Sequence, residues 1–187
     1  MADNALAGVG VLVTRAEHQA GELVAAIEAL GGTAIRFPAL VIEPRSAAAV
    51  RDDIAQLADP DVAIFVSPNA VRHGLEYAGD AAIAAIGPTT AAAIDAAGRN
   101  VDIVSPSGYN SEHLLAEPVL IDVTGKVIRI IRGQRGRELL ADTLRSRGAS
   151  VEFLAVYERS LPDYDDADIA ALETRLAAEE VDFTTVM

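Results

Sequence analysis

Short β-branched and aliphatic runs alternate with helix-period segments along nearly the whole chain, and this alternation limits the possible folds more than any other feature. Residues 9–13, 33–37, 62–66, 82–86, 101–104, 127–131 and 151–157 read as strands, and residues 17–30, 46–58, 68–77, 88–97, 111–117 and 135–147 as helices. A chain that repeats strand, helix, strand builds parallel sheets with helices packed on their faces, an α/β fold. Helix ends are marked as well. Thr14 stands three residues before Glu17, the spacing of a capping box, and Gly31-Gly32, Gly98 and Gly148 fall where C-terminal caps belong. The units share no fixed period, so this is not a solenoid.

Two stretches break the rhythm, Phe37-Pro-Ala-Leu-Val-Ile-Glu-Pro44 and Phe153-Leu-Ala-Val-Tyr-Glu-Arg-Ser-Leu-Pro162. Each is extended, apolar and closed by proline, as a strand leaving one domain for another would be. The expected organisation is two parallel-sheet α/β domains joined by two linker strands, 37–44 and 153–162. Domain 2 covers 45–152; domain 1 is discontinuous, from 1–36 and 163–187. Domain 1 would hold only two N-terminal strands, a helix over 165–180 and a last strand over 181–187. So small a sheet buries its faces poorly, and the expectation is a truncated form of a longer parent.

Composition then removes whole classes of function. The 187 residues are 51% hydrophobic and 4% aromatic, enough for a core of small aliphatics and too few rings for a base-stacking platform. A formal charge of -13 argues against a nucleic-acid or anionic-membrane partner, since phosphate binding needs clustered Lys and Arg. With no cysteine, disulfides, Cys-ligated zinc, iron–sulfur clusters and thiol nucleophiles are excluded, and a reducing, cytoplasmic setting is expected. Residues 1–10 lack the pattern of a signal peptide, and no apolar run approaches the roughly 20 residues that span a bilayer.

In open parallel sheets, ligands bind beyond the carboxyl ends of the strands. The turns expected there carry Thr14 and Arg15; Ser67, Pro68, Asn69 and Ala70; Gly87, Thr89 and Thr90; the stretch from Ser105 to Ser111; and Arg132, Gly133, Arg135 and Arg137. Hydroxyls, backbone N–H groups and arginines in such a row suit an anionic small molecule. Plain N-capping accounts for the hydroxyls equally, and ion pairs with Glu138 or Asp142 for the arginines. The loop around Gly133 lacks the closing Gly-Lys-Ser/Thr of a phosphate loop, and Gly8-Val-Gly10 precedes its strand instead of following it, so nucleotide binding is not supported. His18, His73 and His113 have no metal-ligand spacing, and no metal is expected. Asp163, Asp165, Asp166 and Asp168 read as an acidic helix start. Tyr157, in the second linker, is either a half-buried anchor or a phenol donating to a leaving hydroxyl.

Several phrases together resemble the uroporphyrinogen-III synthase family. They are Val11-Leu-Val-Thr-Arg15, Phe37-Pro-Ala-Leu-Val-Ile-Glu-Pro44, Phe65-Val-Ser-Pro-Asn-Ala-Val71, Ala85-Ile-Gly-Pro-Thr-Thr-Ala91, Ser111-Glu-His-Leu-Leu115, Gly136-Arg-Glu-Leu-Leu140 after Arg132-Gly133, Gly148-Ala149 and Val156-Tyr-Glu-Arg159. The resemblance implies two α/β domains and a cofactor-free, monomeric enzyme. Its substrate is hydroxymethylbilane, a linear polycarboxylate. Loss of water from the terminal hydroxymethyl group gives an azafulvene, the substituted carbon of the distal pyrrole attacks it, and a spiro intermediate recloses with ring D inverted. The resemblance also implies that Tyr157 assists loss of the hydroxyl and that Thr90 faces the cleft. Ser67 and Asn69 would line that cleft, with Thr14, Arg15, Pro68, Ala70, Gly87, Thr89, Ser111, Arg132, Gly133 and Arg137 as further substrate contacts. A non-catalytic module sensing a tetrapyrrole or other polyacid within a larger regulator is the alternative. A periplasmic-type binding protein fits poorly with the absence of a signal sequence.

Overall fold

All four residues of β4 (Val62–Phe65) are buried, as in a strand covered on both faces by helices. The computed structural model describes residues 4–106, 108–136 and 138–185. Within them the elements run β1 (Gly10–Val13), α1 (Glu17–Ala29), β2 (Thr33–Arg36), β3 (Val41–Pro44), α2 (Ala47–Ile54), β4, α3 (Pro68–Gly74), β5 (Ala82–Ala85), α4 (Pro88–Ala96) and β6 (Ile103–Val104). They continue through α5 (Ser111–Leu115), β7 (Val127–Gly133), α6 (Leu139–Ser146), β8 (Ser150–Ser160), α7 (Asp166–Ala177) and β9 (Phe183–Thr184). The fold is α/β with parallel sheets. By compactness the chain divides into Met1–Ile42 with Arg159–Met187, here unit 1, and Glu43–Glu158, unit 2.

Unit 2 is built on a sheet in the order β3-β8-β7-β4-β5-β6, in which β8-β7, β7-β4, β4-β5 and β5-β6 pair in parallel. Ile64, Ile128 and Ile130 of its central strands pack with Leu114, Leu120, Val123 and the apolar face of α6, Leu140, Ala141 and Leu144. On α3, Gly74 permits a close approach to the sheet, since a Cβ there would lie 2.7 Å from Ile131 and 3.0 Å from Val156. Arg129 and Glu152 are directly paired across β7 and β8 and form a buried ion pair, Nη2 to Oε2 3.6 Å. Between them they grip Ala58: Arg129 donates to its carbonyl at 2.6 Å and Glu152 accepts from its N–H at 3.2 Å.

Unit 1 has a sheet in the order β2-β1-β9, all parallel. Ala20, Val24 and Ile27 of α1 pack on Val11 and Val13 of β1. Helix α7 buries none of its residues. Phe37 stacks on Tyr164 with ring centroids 4.0 Å apart, and the Tyr164 hydroxyl donates to the Pro38 carbonyl at 2.8 Å. Burial, with the charges of Asp168 and Glu17, raises this phenol above its ordinary pKa.

Several sequence expectations are corrected. Thr14 does not cap α1: the N-cap is Ala16, without a side-chain cap, and the Thr14 hydroxyl donates instead to the Thr185 carbonyl. The capping box is on α7, where Asp165 and Asp168 cap each other's backbone, in agreement with an acidic helix start. The helix expected over 135–147 begins only at Leu139, beyond Gly136, so Arg132 and Arg135 precede it on a loop instead of opening it. The strand at 151–157 and the extended stretch after it are one continuous strand, β8. Gly31, Gly98 and Gly148 take φ of 81°, 78° and 88°, the left-handed geometry of C-terminal caps. No helix among the described residues is long and apolar enough to cross a membrane.

Candidate active site

In unit 2 the chain runs from β4 outward to β5 and β6, then crosses back to β7 and β8 on the other side of β4. Successive crossovers therefore diverge between β4 and β7, and the region outside their carboxyl ends is the favoured ligand position in such sheets. Ser67, Pro68 and Asn69 follow β4 there, and Gly133 ends β7.

Tyr157 reaches this point because β8 carries an irregularity. Pairing runs Ile131 with Leu154 and Arg132 with Ala155, then jumps to Gly133 with Tyr157, which leaves Val156 as the extra residue. A bulge re-aims the side chains after it, and here Val156 and Tyr157 are both buried, breaking the strand's alternation. The Tyr157 ring lies across Gly133, where a Cβ would come within 2.7 Å of a ring carbon. Glycine at 133 thus provides the space the ring occupies. The Tyr157 hydroxyl is 3.3 Å from Ser67 Oγ, and Ser67 Oγ also accepts from the Ala70 N–H at 3.1 Å, capping α3. The ring of His73 stands tilted beside Tyr157 at 6.2 Å between centroids.

Other expected residues are distributed along the same sheet end. Pro68 opens α3, and Asn69 and Ala70 are buried in its first turn. At the start of α4, Thr89 is exposed, whereas Thr90, expected to face a cleft, is only 2% exposed. A Cβ on Gly87 would lie 2.6 Å from Tyr109, so the missing side chain lets the loop after β6 settle over the start of α4. That loop leads into α5, where Ser111 is half-buried and Asn110 provides the cap, accepting from the His113 N–H at 3.0 Å.

Arg132 does not present its charge to solvent. It is 7% exposed, pairs with Glu138 at 3.2 Å and lies over the Phe153 ring at 4.6 Å. Its ion-pair reading holds, and its guanidinium supports the loop that follows β7. Arg135 is exposed, and Arg137 lies outside the described residues. Thr14 and Arg15 belong to unit 1. There they follow β1, which stands between β2 and β9; the Thr14 N–H donates to Thr185 Oγ1 at 3.1 Å and Arg15 is exposed.

Three features were not read from the sequence. The bulge at Val156 has no residue signature beyond Gly133 opposite it. Thr185 meets Thr14 only through the β1–β9 pairing. Tyr109 is 83% exposed on the loop over Gly87, an aromatic face at the carboxyl end of the sheet that the low aromatic content obscured. Among the described residues, no group of three or more His, Asp or Glu side chains is placed to hold a metal. The Tyr157 phenol, 3% exposed, is buried against Gly133 and Ser67, at the sheet end where the hydroxyl- and amide-bearing turns after β4 and β5 lie.

Comparisons with known proteins agree on one family. The family model described as uroporphyrinogen-III synthase HemD matches residues 21–187. The uroporphyrinogen-III synthase of Salmonella typhimurium is 35% identical over 172 residues, covering 87% of this chain and 70% of that one. That of Escherichia coli is 33% identical over 187 residues, covering 95% of this chain and 75% of that one. Among solved structures, a mutant uroporphyrinogen III synthase from Thermus thermophilus superimposes with a TM-score of 0.66 at 28% identity, covering 94% of this chain and 71% of that one.

Proposed function

The chain belongs to the uroporphyrinogen-III synthase family, and from that membership we infer that it closes hydroxymethylbilane to uroporphyrinogen III, as a lyase and cyclase that consumes no cofactor. The observation that ties the reaction to residues is the Tyr157 hydroxyl, held 3.3 Å from Ser67 Oγ at the β4/β7 switch point. As the bond from the terminal methylene carbon to its hydroxyl breaks, the oxygen takes the Tyr157 proton and leaves as water. The pyrrole nitrogen supplies the electron pair that forms the azafulvene. Attack by the distal pyrrole, fragmentation of the spiro intermediate and reclosure release one proton, which restores the phenol. Water is the net loss.

A flexible polycarboxylate closes without inversion when nothing holds it, so the protein's contribution is geometry. A chain of net charge -13 can hold such an anion only through local donors. In unit 2 we assign these to the backbone and side chains of Ser67, Pro68, Asn69 and Ala70, to Gly87 and Thr89, and to Ser111, with Arg137 as the sequence suggests. Gly133 and Arg132 shape the wall, the first by admitting Tyr157 and the second by anchoring the loop after β7. Thr90, buried beneath Thr89, supports that part of the wall. Thr14 and Arg15 are the substrate contacts assigned to unit 1. A cytoplasmic monomer is the working form this reading carries.

Supplying hydroxymethylbilane and resolving the products tests it. The type III isomer should dominate, and type I alone, as from uncatalysed closure, would refute the assignment. Tyr157→Phe should lower kcat by about 100-fold, the usual worth of a positioned acid, with the fold retained by circular dichroism. An unchanged rate would remove Tyr157 from the chemistry.

A further inference from the structure

We propose that Tyr109 is a substrate-binding residue whose ring face packs flat on a pyrrole of the linear substrate and so helps to hold it in the closing geometry. The proposal rests on the reaction inferred above and requires nothing of Tyr157, which lies on a different strand.

Aromatic rings are scarce in this chain, which has four Phe, four Tyr and no Trp. Phe65 and Tyr157 are buried, Phe37 stacks on Tyr164, and Phe153 lies beneath Arg132 and Arg145. Tyr109 is the most exposed of these rings. Exposure alone is ordinary for a surface tyrosine. What sets Tyr109 apart is that its backbone is packed down while its ring is not. A Cβ on Gly87, in the turn after β5, would lie 2.6 Å from both Cα and Cβ of Tyr109. One residue before Tyr109, a Cβ on Gly108 would lie 2.1 Å from His113 Cγ, so that glycine is covered by the imidazole. One residue after it, Asn110 Oδ1 accepts the His113 N–H at 3.0 Å and stands 2.5 Å from His113 Nδ1.

Residues 108–110 therefore rest on the starts of α4 and α5, and the Tyr109 side chain is the part that projects. It projects beyond β5 and β6 at their carboxyl ends, the end at which ligands bind in such sheets. Two residues beyond Gly87, Thr89 is exposed, and α4 begins without a side-chain cap. A flat ring face thus stands beside a free hydroxyl and the leading N–H groups of a helix. The inferred substrate has the matching composition, flat pyrroles bearing carboxylate arms. The ring face suits a pyrrole, and the hydroxyl and N–H groups suit its carboxylates.

Stacking, simple apolar cover and bare surface can be separated on the full chain. Tyr109→Ala should raise the KM for hydroxymethylbilane about 10-fold and leave kcat within about twofold, the pattern of a contact made equally in ground and transition states. Its melting temperature should not move, because the ring is exposed. Tyr109→Leu, apolar without a flat face, should lose most of the same affinity, whereas Tyr109→Phe and Tyr109→Trp should stay within about twofold of the parent. The readout independent of turnover uses the absence of Trp: Tyr109→Trp carries a single indole. Uroporphyrinogen III kept reduced is colourless and takes no energy from an indole at a distance, so a saturable quench or blue shift on titration reports contact. Ile121→Trp, at a position 57% exposed on the segment that enters the amino end of β7, is the control and should not respond. Equal responses at 109 and 121 would mean non-specific association and overturn the proposal, as would silence at 109. A parent that makes the type III isomer, with KM unchanged in Tyr109→Ala or a loss confined to kcat, would overturn it and leave the reaction standing. A parent that makes only type I sinks the reaction, and the titration then decides alone: a response at 109 and none at 121 keeps Tyr109 as a tetrapyrrole contact.

Discussion

The central strands of the two sheets, β4 of six and β1 of three, are both buried along their whole length, whereas the edge strand β9 is exposed at both residues, Phe183 at 62%. Both sheets start from a strand with parallel neighbours on either side, and in both a hydroxyl-bearing turn follows that strand, Ser67 after β4 and Thr14 after β1. Topology therefore gives each sheet a switch point. What differs is support. Unit 2 packs helices closely on its central strands, while α7 of unit 1 leaves Ile169 and Leu176 at 44% and 49% exposure. The Tyr157 phenol, in the role proposed for it, sits in unit 2 and is itself buried. The comparison teaches that a switch point provides the place for a site, and burial provides its precision.

The comparison breaks first on charge. In unit 2, Arg129 is 3% exposed and its partner Glu152 is 17% exposed; in unit 1, Arg36 and Glu17 pair at 41% and 63% exposure. Taking one partner from a buried pair leaves a charge uncompensated, so Arg129→Met should cost about 3 kcal/mol in urea unfolding of unit 2. It also removes a donor from the Ala58 carbonyl. Restoring neutrality with Arg129→Met and Glu152→Leu together should recover most of that loss. Arg36→Met should cost about 0.5 kcal/mol or less, because the exposed pair is screened. Equal costs at the two sites would mean that the units are not differently buried in solution.

A second test sharpens the account of unit 1. Gly10 lies where a Cβ would be 1.7 Å from the Glu180 carbonyl oxygen, a contact that only movement of the backbone before β9 can relieve. Gly10→Ala should cost about 2 kcal/mol, in the range of overpacked sites. Amide exchange should accelerate in β1, α7 and β9 and stay unchanged in β4 and β7. Uniform acceleration through both units would show that they unfold as one.

How far the sequence carried the reading follows from which forces are local. β-Branched runs at residues 62–66 and 127–131 became β4 and β7 because period and composition act within a few residues. The glycines at 31, 98 and 148 announced helix ends through their φ. Thr14 misled because its hydroxyl found Thr185, 171 residues away, in place of its own helix. Arg132 was left between an anion contact and an ion pair with Glu138 or Asp142, and as the sixth residue of β7 it pairs with Glu138 and lies over Phe153. The candidate site was legible as a row of turns and, through the resemblance, as a proposal around Tyr157. The bulge that brings Tyr157 opposite Gly133 was not, because register is a property of two strands and only one is visible at a time.

The smallest effect expected is also the one on which the two units should agree. An aspartate begins a strand in each: Asp182 before β9 accepts from the Gly10 N–H at 2.8 Å, and Asp102 before β6 accepts from the Ile83 N–H at 2.7 Å. In both, the same aspartate's own N–H donates to the carbonyl of that neighbour, at 2.8 Å, so one residue closes the amino end of a parallel pair twice over. Asp61 repeats the device between β4 and β7, with its carboxylate 2.7 Å from the Val127 N–H in a more exposed position. A strand's leading N–H without a partner costs about 1 kcal/mol when half-buried and less where water replaces the carboxylate. Asp102→Ala and Asp182→Ala should each lose about 1 kcal/mol, Asp61→Ala less, and the Asn variants little, since the amide oxygen still accepts. Equal losses at 102 and 182 would confine the difference between the units to packing. A silent Asp182→Ala beside a costly Asp102→Ala would place the weakness of unit 1 at the amino end of β9, where the edge would already be frayed before the substitution is made.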